Sequence, residues 1–110
     1  MDSERRKYER LPMDCSGIIK VPGRDFQTVD IEDISLNGAR LRFRHAPRFE
    51  YAPDQEIELY FYYRGSSSFC SLHCRIKRAY EENGHKCYGV EYTDQEKVVK
   101  KVIDTLLDNQ

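Results

Sequence analysis

Ala39-Arg40-Leu41-Arg42-Phe43-Arg44 alternates apolar and cationic side chains without interruption, the clearest period of two in the 110-residue chain. Successive side chains of a β-strand point to opposite faces, so Ala39, Leu41 and Phe43 are expected to face a core and the arginines to face outward. Upstream, Cys15–Val21 reads as a strand, Pro22-Gly23-Arg24-Asp25 as a turn, and Phe26–Ile34 as a second strand. In that second strand Val29 and Ile31 share one face, and Thr28, Asp30 and Glu32 the other. Downstream, a proline-bounded loop over 45–54 leads into Glu56–Tyr63, with Ile57, Leu59, Phe61 and Tyr63 pointing one way. Arg64-Gly65-Ser66-Ser67-Ser68 then makes a turn.

The last third continues the pattern. Phe69–Tyr80 carries Cys70, Leu72, Cys74 and Ile76 on one face and His73, Arg75 and Lys77 on the other. Asn83-Gly84 is a strong hairpin signal that turns the chain back into His85–Tyr92. Thr93-x-x-Glu96 has capping-box spacing, and Val98, Val99, Val102, Ile103, Leu106 and Leu107 recur at helical intervals. This predicts an amphipathic helix over 94–108 whose stripe of Val98, Val102, Ile103 and Leu106 packs on the core rather than on a second copy. Six strands and one terminal helix predict an all-β fold, a small antiparallel barrel whose open side the helix covers.

Length and composition bound the function. The chain is long enough for one domain and one core. The net charge of −1 supplies no general attraction to nucleic acid or anionic lipid, and no apolar run is long enough to span a bilayer. The first residues lead into charge rather than an apolar stretch, so a cytoplasmic location is expected. Cys15, Cys70, Cys74 and Cys87 then read as reduced thiols. A metal site from Cys70, His73, Cys74 and Cys87 is not expected, because alternation puts His73 on the opposite face from Cys70 and Cys74. His45, His73 and His85 have no evident partners in the sequence, and no catalytic constellation can be picked out, so no enzyme and no cofactor are expected.

The chemistry concentrates in two places. Asp33-Ile34-Ser35-Leu36-Asn37-Gly38 offers a carboxylate, a hydroxyl and a glycine between two strands, a ledge that can recognise a ligand. Glu4-Arg5-Arg6-Lys7-Tyr8-Glu9-Arg10 offers guanidinium groups on an N-terminal arm, residues 1–12, that is expected to fray without a ligand. Residues 13–110 are expected to form the barrel and its helix. A carboxylate with arginines suggests a guanine nucleotide.

Arg6-x-x-x-Arg10 followed by Asp33-x-Ser35-x-x-Gly38 resembles the paired signature of the PilZ domain, the bacterial receptor module for cyclic di-GMP. The similarity extends to Leu11-Pro12, to the alternating Ala39–Phe43 stretch and to Tyr88-Gly89-Val90-Glu91-Tyr92, so it spans nearly the whole chain. It implies a six-stranded antiparallel barrel with a C-terminal helix and a cyclic di-GMP site at Arg5, Arg6, Arg10, Asp33, Ser35 and Gly38, with Arg40 and Arg42 as additional contacts. An arginine directly before the first motif, here Arg5, goes in the family with a stacked pair of ligand molecules.

In this reading Arg6 and Arg10 bond phosphate or stack on purine, and Asp33 accepts from the guanine N1 and N2 edge. Ser35 bonds phosphate, base or neighbouring backbone, and Gly38 permits close backbone approach or positive φ. Either half alone reads more simply, as a solvated basic end or as a turn with a capped strand end. The arm is expected to order on the ligand and change the surface shown to an unidentified downstream protein. Two rivals remain. One is an adaptor with weak or no nucleotide binding that acts through Phe49, Tyr51, Tyr60 and Tyr62. The other, a single-strand nucleic-acid binder, is opposed by the net negative charge.

Overall fold

The strand Gly38–Arg42 buries Ala39 and Leu41 on one side and turns Arg40 and Arg42 to the other, as its alternation demands. The computed structural model describes residues 10–24, 26–47, 50–62 and 69–108. In chain order the strands are β1 (Leu11–Lys20), β2 (Gln27–Ile34), β3 (Gly38–Arg42), β4 (Glu56–Tyr62), β5 (Phe69–Glu82) and β6 (His85–Tyr92), followed by helix α1 (Glu96–Asp108). All neighbours are antiparallel, and the sheet closes on itself in the order β1-β2-β3-β6-β5-β4. Closure leaves no gap in the sheet, so α1 caps the barrel instead of filling an opening in its wall.

Val29, Leu41, Leu59 and Leu72 are fully buried inside, and Cys70, Cys74 and Ile76 line the same interior from β5, as predicted. Val99 and Leu106 of α1 join this core, with Val102 and Ile103 packed against it. Burying each such aliphatic side chain stabilises the fold by about 1.5–3 kcal/mol. Val98, expected in the stripe, is 40% exposed, and Val99 takes its place on the buried face.

Two local expectations need correction. β1 begins at Leu11, with Leu11 opposite Ile34 and Pro12 opposite Asp33, so these two residues belong to the barrel wall and not to a free arm. Proline lacks a ladder donor, and Pro12 sits beside an irregularity between Pro12 and Cys15 where one is not needed. The capping box at Thr93 does not form: the Gln95 carbonyl accepts the first helical hydrogen bonds, from Val98 and Val99. Asp94 instead turns back to β5, accepting from the His73 backbone N–H at 2.6 Å and lying 3.1 Å from its Nδ1. The Asn83-Gly84 hairpin forms as expected, both residues having positive φ (53° and 80°). Tyr63 and the turn at 64–68 lie outside the described residues.

Candidate functional site

Strict alternation from Val29 and Ile31 would send Asp33 into the core. The β2–β3 ladder slips by one residue between Ile31 and Asp33, which resets the phase and sets Asp33 opposite Arg40 on the outer face. Continuing across the sheet, Arg40 faces Gly89 on β6 and Gly89 faces Arg78 on β5. Pro12, Asp33, Arg40, Gly89 and Arg78 therefore form one row across five strands.

Asp33 is 5% exposed and both its oxygens are engaged. Arg10 Nη1 donates to Oδ1 at 2.6 Å, and Arg40 Nε donates to Oδ2 at 2.6 Å, with Arg40 Nη2 a second donor to the same oxygen. The hydrogen bond from Arg40 to Asp33 holds the guanidinium above its already high ordinary pKa. Two guanidiniums on one carboxylate leave a net positive charge, and each keeps N–H groups that Asp33 does not use. The side chains of Arg10 and Arg40 are 43% and 38% exposed, so those groups are open to a ligand.

Ser35 and Gly38 build the turn that carries this pair. The Ser35 N–H donates to the Gly38 carbonyl at 2.8 Å, and the buried Ser35 hydroxyl donates to Asn37 Oδ1 at 2.6 Å. The Gly38 carbonyl also accepts from the Tyr92 hydroxyl at 2.9 Å. Burial pushes the Tyr92 phenol strongly up, away from ionisation. Gly38 does allow close approach, but to the protein's own backbone: a Cβ there would stand 2.0 Å from the Val90 carbonyl oxygen. It is not a positive-φ position.

Arg10, Asn37, Gly38, Arg40, Arg78 and Gly89 line an open groove of about 340 Å³ over this row. Arg40 thus belongs with Arg10 and Asp33, whereas Arg42 does not. Arg42 lies in a neighbouring groove of about 410 Å³, with Asp30 at 3.5 Å and Glu32 at 3.6 Å. Arg44 completes that second cluster through Asp30 and Ser16. Arg5 and Arg6 lie outside the described residues. Arg78 and Gly89, which line the same groove, were not singled out as site residues by the sequence. A glycine inside a strand is itself a signal of close approach or open space, but the neighbour of Gly89 could be known only from the register.

The other candidates resolve differently. Glu32, Glu82 and Cys87 bring donor atoms within 4.8 Å of one another. Arg42 already stands against Glu32, and burial pushes the Cys87 thiol up, away from the thiolate a metal needs. His73 is not partnerless: it lies between Asp94 and Glu58, at 3.1 and 3.4 Å. His85 Nδ1 lies 3.0 Å from the Phe43 carbonyl oxygen. Of the aromatics offered as an adaptor surface, Tyr51 is buried against Phe43 and Tyr88, with Gln27 donating to its hydroxyl at 2.5 Å. Tyr60 is half-buried and bonded to Glu58, Tyr62 is 57% exposed, and Phe49 lies outside the described residues. Among the described residues no helix is long and apolar enough to cross a membrane.

The PilZ domain family model matches residues 4–109 of the chain. Among solved structures, the PilZ domain of YcgR from Escherichia coli with c-di-GMP is similar at a TM-score of 0.77 and 12% identity, over 94% of this chain and 90% of that one. The PilZ domain of CeSA from a cellulose-synthesizing bacterium gives a TM-score of 0.68 at 20% identity, over 91% and 96% of the two chains. The K. pneumonia MrkH–c-di-GMP complex gives 0.69 at 13% identity, over 94% of this chain and 52% of that one. No curated protein matches the chain.

Proposed function

Because the chain belongs to the PilZ family, we propose that it is a receptor for cyclic di-GMP, bound over the outer face of β2, β3 and β6 by Arg10, Asp33 and Arg40. The observation that carries this reading is the contact between the two sequence motifs: Arg10, from the first, bonds Asp33, from the second, at 2.6 Å. Similar structures of YcgR and MrkH hold c-di-GMP, which supports the same ligand class here.

Each part of the ligand has a counterpart. The free N–H groups of Arg10 and Arg40 suit phosphate oxygens or guanine O6 and N7, and the remaining lone pairs of Asp33 suit the guanine N1 and N2 edge. Ser35 and Gly38 act through the turn that fixes Asp33. Arg5 and Arg6 come from the arm and close over the ligand, with Arg5 favouring a stacked pair of molecules. Ordering of the arm changes the face offered to a downstream protein. The protein works as a cytoplasmic receptor and not as a catalyst, without membrane insertion or nucleic-acid binding.

One observation favours a rival. Both oxygens of Asp33 are already engaged, an arrangement that serves stability without any ligand, as in a PilZ-like adaptor with weak or no nucleotide binding. Calorimetric titration with cyclic di-GMP, beside cyclic di-AMP, GTP and a short oligonucleotide, separates the readings. Heat from cyclic di-GMP alone, lost in Arg6→Ala and Arg10→Ala, supports the receptor. Silence with all four supports the adaptor.

A further inference from the structure

Gly89 stands between Arg40 and Arg78 in the row that begins at Asp33. Having no side chain, it leaves a bare stretch of backbone between strands two ladder spacings, about 10 Å, apart. A Cβ at Gly89 would come 3.1 Å from Arg78 Nε and 3.2 Å from its Cγ, so the Arg78 side chain lies across this floor. Its guanidinium carbon is 5.4 Å from the centre of the Tyr80 ring, a cation–π contact that keeps it near the sheet.

Charge separates Arg78 from the other cations of the groove. Arg10 and Arg40 bond Asp33, and Lys77 Nζ lies 3.1 Å from Asp54. Arg78 is exposed and has no carboxylate partner among the described residues. Glu91 also lines the groove, but it sits two rows away, opposite Gly38 and Arg75. The Arg10–Asp33–Arg40 cluster mixes donors and an acceptor, which suits the edge of a base. Arg78 offers donors only, over a floor cleared of side chains, which suits a compact anion held by a planar fork.

We infer that Arg78, lying over Gly89, binds a phosphate of the ligand and extends the site onto β5 and β6, beyond both sequence motifs. This rests on the cyclic dinucleotide reading. Gly89 serves by leaving the space: a methyl group there makes the Arg78 side chain give way by a few tenths of an ångström.

The test is calorimetric titration of cyclic di-GMP into the wild type, Arg78→Ala, Arg78→Lys and Gly89→Ala, with Lys97→Ala on the exposed face of α1 controlling for loss of one positive charge. Circular dichroism melts confirm that each variant folds. Arg78→Ala is expected to weaken binding about tenfold or more and to flatten its salt dependence. Arg78→Lys should recover part of the loss, Gly89→Ala should weaken binding less than Arg78→Ala, and Lys97→Ala should bind as wild type. Wild-type affinity and salt dependence in Arg78→Ala would overturn the phosphate contact while leaving the receptor reading intact. An equal loss in Lys97→Ala would overturn it too, reducing the effect to net charge. A silent wild type overturns the receptor reading itself, and this contact with it.

Discussion

Arg10 Nη1 lies 2.6 Å from Asp33 Oδ1, a contact that joins positions 23 apart and fastens the start of β1 to the end of β2. The two ends of this pair are unequal. Arg10 is 43% exposed at its side chain and Asp33 7%. Arg10→Ala leaves Asp33 bonded to Arg40, so the melting temperature should barely move, the loss being about 0–1 kcal/mol. Ligand affinity should fall tenfold or more, since a charge-assisted bond is worth about 1.5–3 kcal/mol. Asp33→Ala removes the shared acceptor of two arginines and should reduce both stability and affinity. Equal melting losses in the two variants would contradict this division.

Gly38 separates a structural requirement from a ligand requirement. A methyl group there would stand 2.0 Å from the Val90 carbonyl oxygen, and that oxygen belongs to the β6 backbone, which cannot rotate away. Gly38→Ala should therefore part the β3–β6 ladder and destabilise the fold by about 2–4 kcal/mol, with or without nucleotide. Thermal melts of the ligand-free protein read this directly. A normal melt with lost binding would mean that the glycine serves the ligand and not the ladder.

Much of this was legible beforehand because burial enforces alternation. Ala39, Leu41 and Phe43 could only face inward, and the β5 face of Cys70, Leu72, Cys74 and Ile76 followed by the same rule. What escaped were departures from period two. The slip before Asp33 turns consecutive acids, Glu32 and Asp33, away from strict alternation, and no local pattern announces it. Arg78 is unremarkable in its own strand, and its place over the strand glycine Gly89, in line with Arg40, emerges only from the register. The Thr93 capping box was not to be had because the segment before α1 is tied to β5: Asp94 accepts from the His73 N–H, 21 positions away.

Tyr92 ties the last strand to the turn between β2 and β3, and its titration should show it. Its hydroxyl donates to the Gly38 carbonyl at 2.9 Å, and burial pushes the phenol above its usual value of 10. The unfolded chain ionises Tyr92 first, so its contribution is fully present below about pH 10 and is lost as pH rises beyond it. Tyr92→Phe should cost about 1 kcal/mol at neutral pH. It should also reduce the alkaline fall in melting temperature. The measurement is a series of melts from pH 8 to pH 11; a parallel fall in both proteins would remove Tyr92 from the alkaline transition.

Asp30 should mark the acid side in the opposite sense. The hydrogen bond from Arg44 Nε, at 2.8 Å, holds its carboxyl below the ordinary value of 3.8, with Arg42 adding to the effect. The folded protein therefore keeps Asp30 ionised at a pH where the unfolded chain has taken up a proton. Its stabilisation is complete above about pH 4 and drains away as pH falls toward the depressed folded value. Asp30→Asn keeps the shape but not the charge, so the wild type should melt higher at pH 6 and the gap should narrow steadily below pH 4. High salt should shrink the gap at pH 6 as well, because Arg44 is exposed and its pairing is screened. A gap that stays constant from pH 6 to pH 2 would show that Asp30 contributes through packing and not through its charge.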